Sequence, residues 1–221
     1  MNIEKIVSLK NKYVSVKDSS FGGSQMYFKN VKGILSKGKR LGGCGIVAIN
    51  DTISYLKDNT NYNDSQEYIR SFNKTARKMA FISTPLGMSF LHMLIGGKIL
   101  FLRNGLHYSF YPGINPFNTY KKIYTMLSED TPVILCIPKI FGKNKKGRSL
   151  PFYSSINLSK ISQAEGHFVV ATALIKINQK TYIEISSWGN KYYISLDEYN
   201  RFLRKHPTSL LGNILCIRRK S

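Results

Sequence analysis

From Cys44 onward, apolar residues recur at spacings of three and four, which is the period of an amphipathic helix. The apolar positions are Ile46, Ile49, Ile53 and Leu56, and Asn50, Asp51 and Ser54 lie on the other side. The pattern predicts a helix that begins at Cys44, directly after the glycine pair at 42–43.

The same period predicts three more helical segments. One runs from about Asp64 through Ala80, with Tyr68, Ile69, Phe72 and Ala76 inward and Arg70, Lys74 and Lys78 outward. Another covers about 87–95 and is expected to end at Gly96-Gly97, followed by an extended pair with a hairpin turn at Asn104-Gly105. A further helix is expected after Asn115-Pro116.

Strand patterns dominate the second half of the chain. The β-branched run over 131–141 predicts a buried strand, and a basic loop is expected over 142–155. The segments 166–177, 180–189 and 191–196 predict three consecutive antiparallel strands with a turn at Asn178-Gln179. Ser195 followed by Glu198 is a capping box, which predicts a helix through about Lys205.

These elements predict a single α+β domain over 1–221, because no repeat or linker divides the chain. Residues 1–40 are expected to be irregular, with short extended pieces at "KYVSV" and "QMYFKNV". The part from 41 to 128 is expected to be mainly helical, and the part from 129 to 221 mainly β with a C-terminal helix.

The chain of 221 residues is strongly basic, with 33 Lys and Arg against 12 Asp and Glu and a formal net charge of +21. The positive charge is spread along the chain, with small clusters such as "GKNKKGRS" near 142–149. A solvated basic surface and a specific anionic partner both fit this pattern. No zinc-finger spacing or aromatic RNA-binding signature is present, so nucleic acid is the less favoured partner.

Three cysteines without paired spacing argue against a disulfide scaffold and indicate a reducing compartment. No secretory signal or membrane-spanning segment is recognisable, so we expect a cytoplasmic protein. No phosphate-binding glycine loop or metal-ligand spacing appears, and no cofactor or metal is expected. The oligomeric state is not predicted.

Cys44 lies where a helix is predicted to begin. The helix dipole and the unpaired backbone N–H groups at such a position favour the thiolate and can hold an oxyanion. The glycines at 42, 43 and 45 allow a substrate backbone to approach. Taken alone, a cysteine here is more often a buried small hydrophobe, and Cys136 and Cys216 are expected to be inert core thiols.

His167 begins an apolar strand pattern and follows Cys44 by 123 residues. A thiol nucleophile needs a base that takes its proton and returns it to the leaving group. Papain-type folds bring such a cysteine and histidine together from a separation of roughly 130 residues. His92, His107 and His206 fit a packed helix, a strand and a helix end instead.

The sequence "SSWG" at 186–189 ends the strand that follows His167. If the two strands form a hairpin, this end returns to the start of the histidine strand. A polar side chain such as Ser186 can then orient the imidazole, and Trp188 can shield their hydrogen bond from water.

These segments resemble the papain-like cysteine peptidase superfamily. The resemblance rests on "GGCGIVAINDTISYL", "GHFVVATAL" and "SSWG", the last standing where papain-type enzymes carry Asn-Ser-Trp-Gly. It is nearest to the bacterial double-glycine leader peptidases, which process bacteriocin-like peptides, because "PVIL" at 132–135 and the helix start at 195–199 match that branch. It covers roughly 35–205.

The resemblance implies a papain-like fold in which the nucleophile helix packs on the C-terminal sheet. It also implies Cys44 as nucleophile, His167 as general base and Ser186 as the residue that orients the histidine. The supporting positions are Gly43, the Cys44 backbone N–H, Ser187, Trp188, Glu184 and Asn190.

The sequence departs from the family pattern at two places. Gly38 stands six residues before Cys44, where papain-type enzymes carry a glutamine for the oxyanion hole, and the nearest upstream glutamine is Gln25. Ser186 replaces the asparagine or aspartate that orients the histidine, so Glu184 or Asn190 is considered as a substitute.

Three functions follow from this pattern. The first is hydrolysis of a peptide or amide bond, of an acidic substrate if the basic residues Lys37, Lys39 and Arg40 guide binding. The second is an acyltransferase of the same fold, in which an amine instead of water receives the acyl group. The third is a catalytically degenerate basic protein that binds acidic peptides or nucleic acid.

Overall fold

The computed structural model describes residues 3–30, 42–79, 90–111, 116–139, 149–205 and 213–219. The helices among them are α1 (Cys44–Leu56), α2 (Ser65–Lys78), α3 (Phe90–Arg103), α4 (Pro116–Ser128) and α5 (Leu196–Arg204). The strands are β1 (Ile3–Ser8), β2 (Ser15–Val16), β3 (Asn61–Tyr62), β4 (Leu106–Tyr111), β5 (Val133–Ile137), β6 (Leu150–Ser154), β7 (Lys160–Ala164), β8 (His167–Ile177), β9 (Lys180–Ser187), β10 (Asn190–Ser195) and β11 (Ile214–Arg219). The predicted α+β class is therefore confirmed.

Nine of the described strands form one sheet in the order β4-β11-β5-β8-β9-β10-β6-β7, and β1 also pairs with β8. Strand β5 pairs antiparallel with the first half of β8 and β1 with its second half. Strand β8 is therefore a central strand, and ten of its eleven residues are buried. Its continuous apolar run reflects burial on both faces.

The described residues divide into two compact units. The sheet unit comprises the described residues of 1–11, 109–186 and 191–216, and the helical unit those of 12–108, 187–190 and 217–221. The predicted single domain over 1–221 and the predicted packing of the Cys44 helix on the sheet both stay predictions.

In the sheet unit, helix α4 packs against β1, β5 and β8, and α5 packs against α4 and β6. The Tyr199 hydroxyl on α5 donates to the backbone carbonyl of Cys136 on β5 at 3.1 Å. The Tyr153 hydroxyl on β6 donates to the Glu198 carboxylate at the start of α5, at 2.8 and 2.9 Å to its two oxygens. These hydrogen bonds hold α5 against β5 and β6.

In the helical unit, α2 packs between α1 and α3, and β2 and β3 form a short parallel pair. Helix α1 is buried on nearly its whole circumference, since Asn50, Asp51, Thr52 and Ser54 are as buried as its apolar residues. The polar side predicted for this helix thus faces other protein groups, and its side chains need hydrogen-bond partners within the unit.

The structure confirms the predicted helices at 44, 64, 116 and 196 and the predicted strands β5, β8, β9 and β10. The Asp64 carboxylate caps α2 by accepting from the Glu67 N–H at 2.7 Å, and Ser195 caps α5 by accepting from the Glu198 N–H at 3.4 Å. The predicted turn at Asn178-Gln179 has positive φ at both residues, as a two-residue hairpin requires.

The prediction that the third helix ends at Gly96-Gly97 is wrong, because α3 continues through both glycines to Arg103. A Cβ at Gly96 would lie 2.9 Å from the carbonyl oxygen of Met79, which follows the last residue of α2. Gly96 is therefore needed for the close approach of the end of α2, and it does not stop the helix. The start predicted near 87 lies outside the described residues.

The hairpin predicted at Asn104-Gly105 is also wrong. The N–H groups of these two residues bond to the carbonyls of Phe101 and Leu102, and Gly105 has a φ of +70°. This is a helix end closed by a glycine in the left-handed region. The same dipeptide serves hairpins and helix ends, so the local sequence did not decide between them.

Two other regions differ from the prediction. Residues 3–8 form β1 in the region expected to be irregular, and Gln25–Asn30 form a 3-10 helix in place of an extended piece. Part of the expected loop at 142–155 is β6, which pairs with the unpredicted β7. These strands are partly exposed, so they lack the strong apolar alternation that identifies a strand from sequence.

Candidate active site

Cys44 is the first residue of α1, as predicted, and it is buried in the helical unit. Gly43 precedes the helix and, having no side chain, supplies no side-chain cap to its first N–H groups. The N–H groups in the first turn of an α-helix have no carbonyl partner within the helix, so they point out of its N-terminal end and can bind an acceptor there. The local geometry therefore suits a thiolate and an oxyanion.

His167 is the first residue of β8, as predicted, and lies buried in the sheet unit opposite Ile137 of β5. Burial lowers the pKa of its imidazole to about 4. Because of this lowered pKa, the ring is uncharged at neutral pH, which is the form that accepts a proton. Gly166, directly before His167, has a φ of +59°, and a Cβ there would lie 3.1 Å from the Cβ of Lys139.

Ser186 lies on β9 opposite Val170, three residues after the start of β8. Residues that face each other across antiparallel strands share a sheet face, and side chains alternate along a strand. The pairing of β5 with β8 is regular over 167–171, so His167 and Val170 lie on opposite faces. The register therefore places Ser186 on the face away from His167 and does not support it as the residue that orients the ring.

The Glu184 carboxylate accepts from the Thr172 hydroxyl at 2.9 Å and forms an ion pair with Lys191 at 3.1 Å. Glu184 pairs with Ala173, six residues along β8 from His167. At about 3.3 Å per residue this is roughly 20 Å along the strand. These contacts give Glu184 a structural role in the sheet and argue against its substitution for the histidine partner.

Trp188 and Gly189 form the two-residue connection between β9 and β10, and both have positive φ, at 50° and 77°. This conformation is unusual for a residue as large as tryptophan. The Asn190 side-chain amide donates to the carbonyl of Trp188 at 3.2 Å, so Asn190 closes the turn. Ser187, Trp188 and Asn190 belong to the helical unit, whereas Ser186 belongs to the sheet unit.

The loop at 21–25 joins two parts of the helical unit. The N–H of Phe21 donates to the carbonyl of Gly189 at 2.9 Å, and the N–H of Gly23 donates to the Asp51 carboxylate of α1 at 2.8 Å. A Cβ at Gly23 would overlap the ring of Tyr68. The Trp188-Gly189 turn and the Cys44 helix are thereby bonded to one loop, which continues into the buried Gln25.

Asp51 is the buried ionisable group that the sequence pattern did not single out. Its second carboxylate oxygen accepts from the Tyr68 hydroxyl at 2.6 Å. Burial raises the pKa of Asp51 to about 7, and the hydrogen bonds from Tyr68 and Gly23 lower it in part. The helical period assigned Asp51 to the polar side of the helix, so its burial was not visible in the pattern, and a buried carboxylate needs donors such as these.

The other candidate residues are placed as follows. Cys136 on β5 and Cys216 on β11 are buried, as predicted, and all three cysteines are outside disulfides. His107 is exposed on β4. Lys37, Gly38, Lys39, Arg40 and His206 lie outside the described residues. The described part of the chain contains no cluster of His, Cys, Asp and Glu suited to a metal ion.

None of the helices in the described ranges is long and apolar enough to cross a membrane. No protein-family model matches the sequence, and no curated protein is similar to it. Among solved structures, the chain is weakly similar to a digestive procathepsin L 3 from the larval midgut of Tenebrio molitor. The TM-score is 0.32 at 9% identity, covering 96% of this chain and 69% of the other. Neither a family nor an activity follows from this similarity.

Proposed function

We propose that this protein is a thiol-dependent hydrolase of peptide or amide bonds, with Cys44 as nucleophile and His167 as general base and acid. The proposal rests on the sequence motifs together with the local geometry of each unit. In the helical unit a buried cysteine begins a helix without a side-chain cap. In the sheet unit a buried, uncharged histidine begins the central strand.

The observation that carries the proposal is the course of β9. This strand pairs with β8, which begins at His167, and the chain then enters the helical unit at Ser187. There the Gly189 carbonyl accepts from Phe21, and the same loop bonds to α1 through Asp51. Within the helical unit, the turn that follows the partner strand of His167 and the helix that begins at Cys44 are thus bonded to one loop, which supports the proposal.

In the proposed reaction, the Cys44 sulfur attacks the carbonyl carbon while His167 takes the thiol proton. The N–H groups at the start of α1 stabilise the resulting oxyanion. The carbon–nitrogen bond then breaks, His167 returns the proton to the leaving amine, and a thioester remains on Cys44. Water attacks the thioester with His167 again taking a proton, which releases the carboxylic acid and restores the thiol.

We include Gln25 in this proposal as a side-chain donor to the oxyanion. Gln25 is a buried polar residue of the helical unit, two residues beyond the Gly23 N–H that is bonded to α1. The family pattern places the donor six residues before the cysteine, whereas Gln25 lies 19 residues before Cys44, so the spacing alone does not identify it. Loss of one oxyanion donor costs about 3 kcal/mol in other hydrolases.

We also propose Ser187 in preference to Ser186 as the residue that orients His167. Ser187 is the next residue of β9, so its side chain lies on the other face of that strand from Ser186. It is buried, as an orienting residue must be if water is not to compete for the imidazole. Trp188 follows it in a constrained backbone conformation, and such outliers concentrate at functional sites.

The finer assignment, to the leader peptidases of bacteria, is part of the same proposal. It is supported by the match of "PVIL" to the buried β5 and of "SLDEY" to the capped start of α5. Both segments have the secondary structure that the motif requires. The substrate is proposed to be a peptide, and the net charge of +21 favours an acidic one.

The test is an acyl-transfer assay with nitrophenyl acetate, which reports any reactive thiol without knowledge of the natural substrate. We expect a burst of one nitrophenol per protein chain and an acetyl group on Cys44 by peptide mass spectrometry. The burst should be lost in Cys44→Ser and kept in Cys136→Ser and Cys216→Ser. Acetylation spread equally over all three cysteines would refute the proposal.

The fate of the acyl group separates the proposed hydrolase from the other chemistries. Regeneration of the thiol in water indicates hydrolysis, and faster regeneration with glycine amide, yielding acetylglycine amide, indicates an acyltransferase. Absence of any burst, together with retention on heparin that Cys44→Ser does not alter, would instead indicate a basic binding protein. For Gln25→Ala we expect the burst rate to fall about 100-fold, with the exposed Gln66→Ala as matched control.

A further inference from the structure

Helix α3 of the helical unit is apolar on two opposite sides. One side is buried and consists of Met93, Leu100 and Phe101. The other side carries Ile95, Ile99 and Leu102, which are 57, 45 and 57% exposed. A helix that is apolar all round is ordinarily buried all round. The exposed side of α3 is therefore an exception to the usual pattern.

The three exposed residues form one continuous stripe along α3. They have the spacing i, i+4 and i+7, which places them within about 60° of each other around the helix axis. From Ile95 to Leu102 the stripe is about 10 Å long. Isolated apolar residues are common on protein surfaces, whereas contiguous ones mark sites that bind a protein or a membrane.

Two exposed cations flank this stripe, one on each side. Lys98 and Arg103 both lie about 70° around the helix axis from the centre of the stripe, in opposite directions. Lysine and arginine have apolar stems, so they cover apolar surface while their charged ends reach a polar layer. An apolar stripe between two such side chains suits the boundary between lipid headgroups and acyl chains.

The chain around α3 carries positive charge and no acidic residue. No Asp or Glu occurs between Glu67 and Glu129 in the sequence. Helix α2, which packs on α3, adds four exposed cations, namely Arg70, Lys74, Arg77 and Lys78. This part of the helical unit therefore attracts an anionic surface.

The same observations argue against a protein as the partner of the stripe. A second copy of this chain, docked through the stripe, would bring Lys98 and Arg103 of two protomers together, and each chain has a formal net charge of +21. A stable protein interface buries roughly 800 Å² on each partner, which exceeds what three half-exposed side chains supply. A fluid lipid surface adapts to a convex helix, and it gains attraction from every cation near it.

We propose that α3 binds to the surface of a membrane that contains anionic lipids. The helix lies parallel to this surface. Ile95, Ile99 and Leu102 enter the boundary below the headgroups, and Lys98 and Arg103 contact the lipid phosphates. This membrane binding goes beyond the proposed hydrolase function, because Cys44 and His167 take no part in it.

The test is co-sedimentation with sucrose-loaded vesicles made of equal parts phosphatidylcholine and phosphatidylglycerol, or of phosphatidylcholine alone. We expect binding to the anionic vesicles that weakens with added salt, and binding at least about tenfold weaker without phosphatidylglycerol. Ile99→Gln/Leu102→Gln should weaken binding to the anionic vesicles at least about tenfold. Lys98→Gln/Arg103→Gln should weaken it about 20-fold. Cys44→Ser should bind as the wild type does.

Matched double variants outside α3 serve as controls. Ile156→Gln/Ile161→Gln removes two exposed isoleucines, and Lys180→Gln/Lys205→Gln removes two exposed cations. Each should stay within about twofold of the wild type, because charges beyond a Debye length of about 10 Å are screened. Equal weakening in the controls and the α3 variants, or unchanged binding in both α3 variants, would overturn the proposal.

The remaining outcomes distinguish the membrane from other partners. If the wild type sediments with neither kind of vesicle, the proposal is overturned. A dimer in analytical ultracentrifugation that dissociates in Ile99→Gln/Leu102→Gln, without vesicle binding, overturns it in favour of a second copy of this chain. If circular dichroism shows this double variant to be unfolded, Ile95→Gln replaces it, with an expected loss of about fivefold.

Discussion

The helical unit and the sheet unit each bury an ionisable side chain, but they do so in opposite chemical settings. Asp51 on α1 is an acid whose two oxygens are bonded to Tyr68 and Gly23, and burial raises its pKa to about 7. His167 on β8 is a base in an apolar strand, and burial lowers its pKa to about 4. In both cases the protein interior favours the uncharged form.

The difference indicates different roles for the two residues. The bonds of Asp51 link α1, α2 and the loop at 21–25, so its contribution is to the position of these segments. His167 lies at the first position of its strand and is the residue that we propose as general base. We therefore expect loss of His167 to affect both chemistry and stability, and loss of Asp51 to affect mainly stability.

The largest effect is expected for His167→Ala. Removal of a general base lowers catalysis by about 10³-fold, so the burst rate with nitrophenyl acetate should fall by this factor. Urea denaturation of the same variant shows whether it is folded under the assay conditions, so that a rate loss caused by unfolding is recognised. His107→Ala, at an exposed strand position, is the control and should retain the full rate. A similar loss in both variants would contradict the role of His167.

Opposite pH dependence of stability is the next prediction. The folded-state pKa of Asp51 lies above its unfolded value, so its stabilising contribution is complete below about pH 4 and is lost as the pH rises through 7. The folded-state pKa of His167 lies below its unfolded value, so its contribution is complete above about pH 6.5 and is lost as the pH falls through 4. The two contributions amount to at most roughly 4 and 3 kcal/mol.

Two variants separate these contributions in urea denaturation between about pH 4 and pH 8. Asp51→Asn should remove the loss of stability towards high pH, and His167→Gln should remove the loss towards low pH. If the free energy of unfolding depends on pH in both variants as it does in the wild type, then neither Asp51 nor His167 is buried in solution.

Truncation of Asp51 should destabilise the helical unit. In Asp51→Ala the Tyr68 hydroxyl and the Gly23 N–H lose their buried acceptor, and each such loss costs about 1–3 kcal/mol. We expect the free energy of unfolding to fall by about 3 kcal/mol. Asp197→Ala, at an exposed position in the first turn of α5, should change it by less than about 1 kcal/mol. Equal effects would show that the network is not formed.

The smallest effects on the free energy of unfolding are expected for two glycine substitutions, one in each unit. In the helical unit, Gly96→Ala should destabilise by about 1 kcal/mol, although alanine favours helices, because its Cβ would meet the Met79 carbonyl. In the sheet unit, Gly166→Ala should cost about 1–2 kcal/mol because of its positive φ. A stabilising effect of Gly96→Ala in thermal denaturation would contradict the close approach of α2 and α3.

Local patterns in the sequence predicted the helix start at Cys44, the strand start at His167 and the turns and caps between them. They failed where one motif serves two structures, as at Asn104-Gly105, which ends α3 instead of turning a hairpin. They are insufficient for Ser186, because the register of β9 against β8 sets the face of each side chain, and a pattern within one strand does not contain that register.

The sequence by itself determined the α+β class, the order of the central strands and the positions of Cys44 and His167, because helix period, strand alternation and capping are properties of neighbouring residues. Only the tertiary structure decided that Asp51 is buried and accepts hydrogen bonds from two other segments, and that Gly96 allows α2 and α3 to approach closely. Each of these depends on residues distant in the chain, so its physical cause exists only once the segments have packed together.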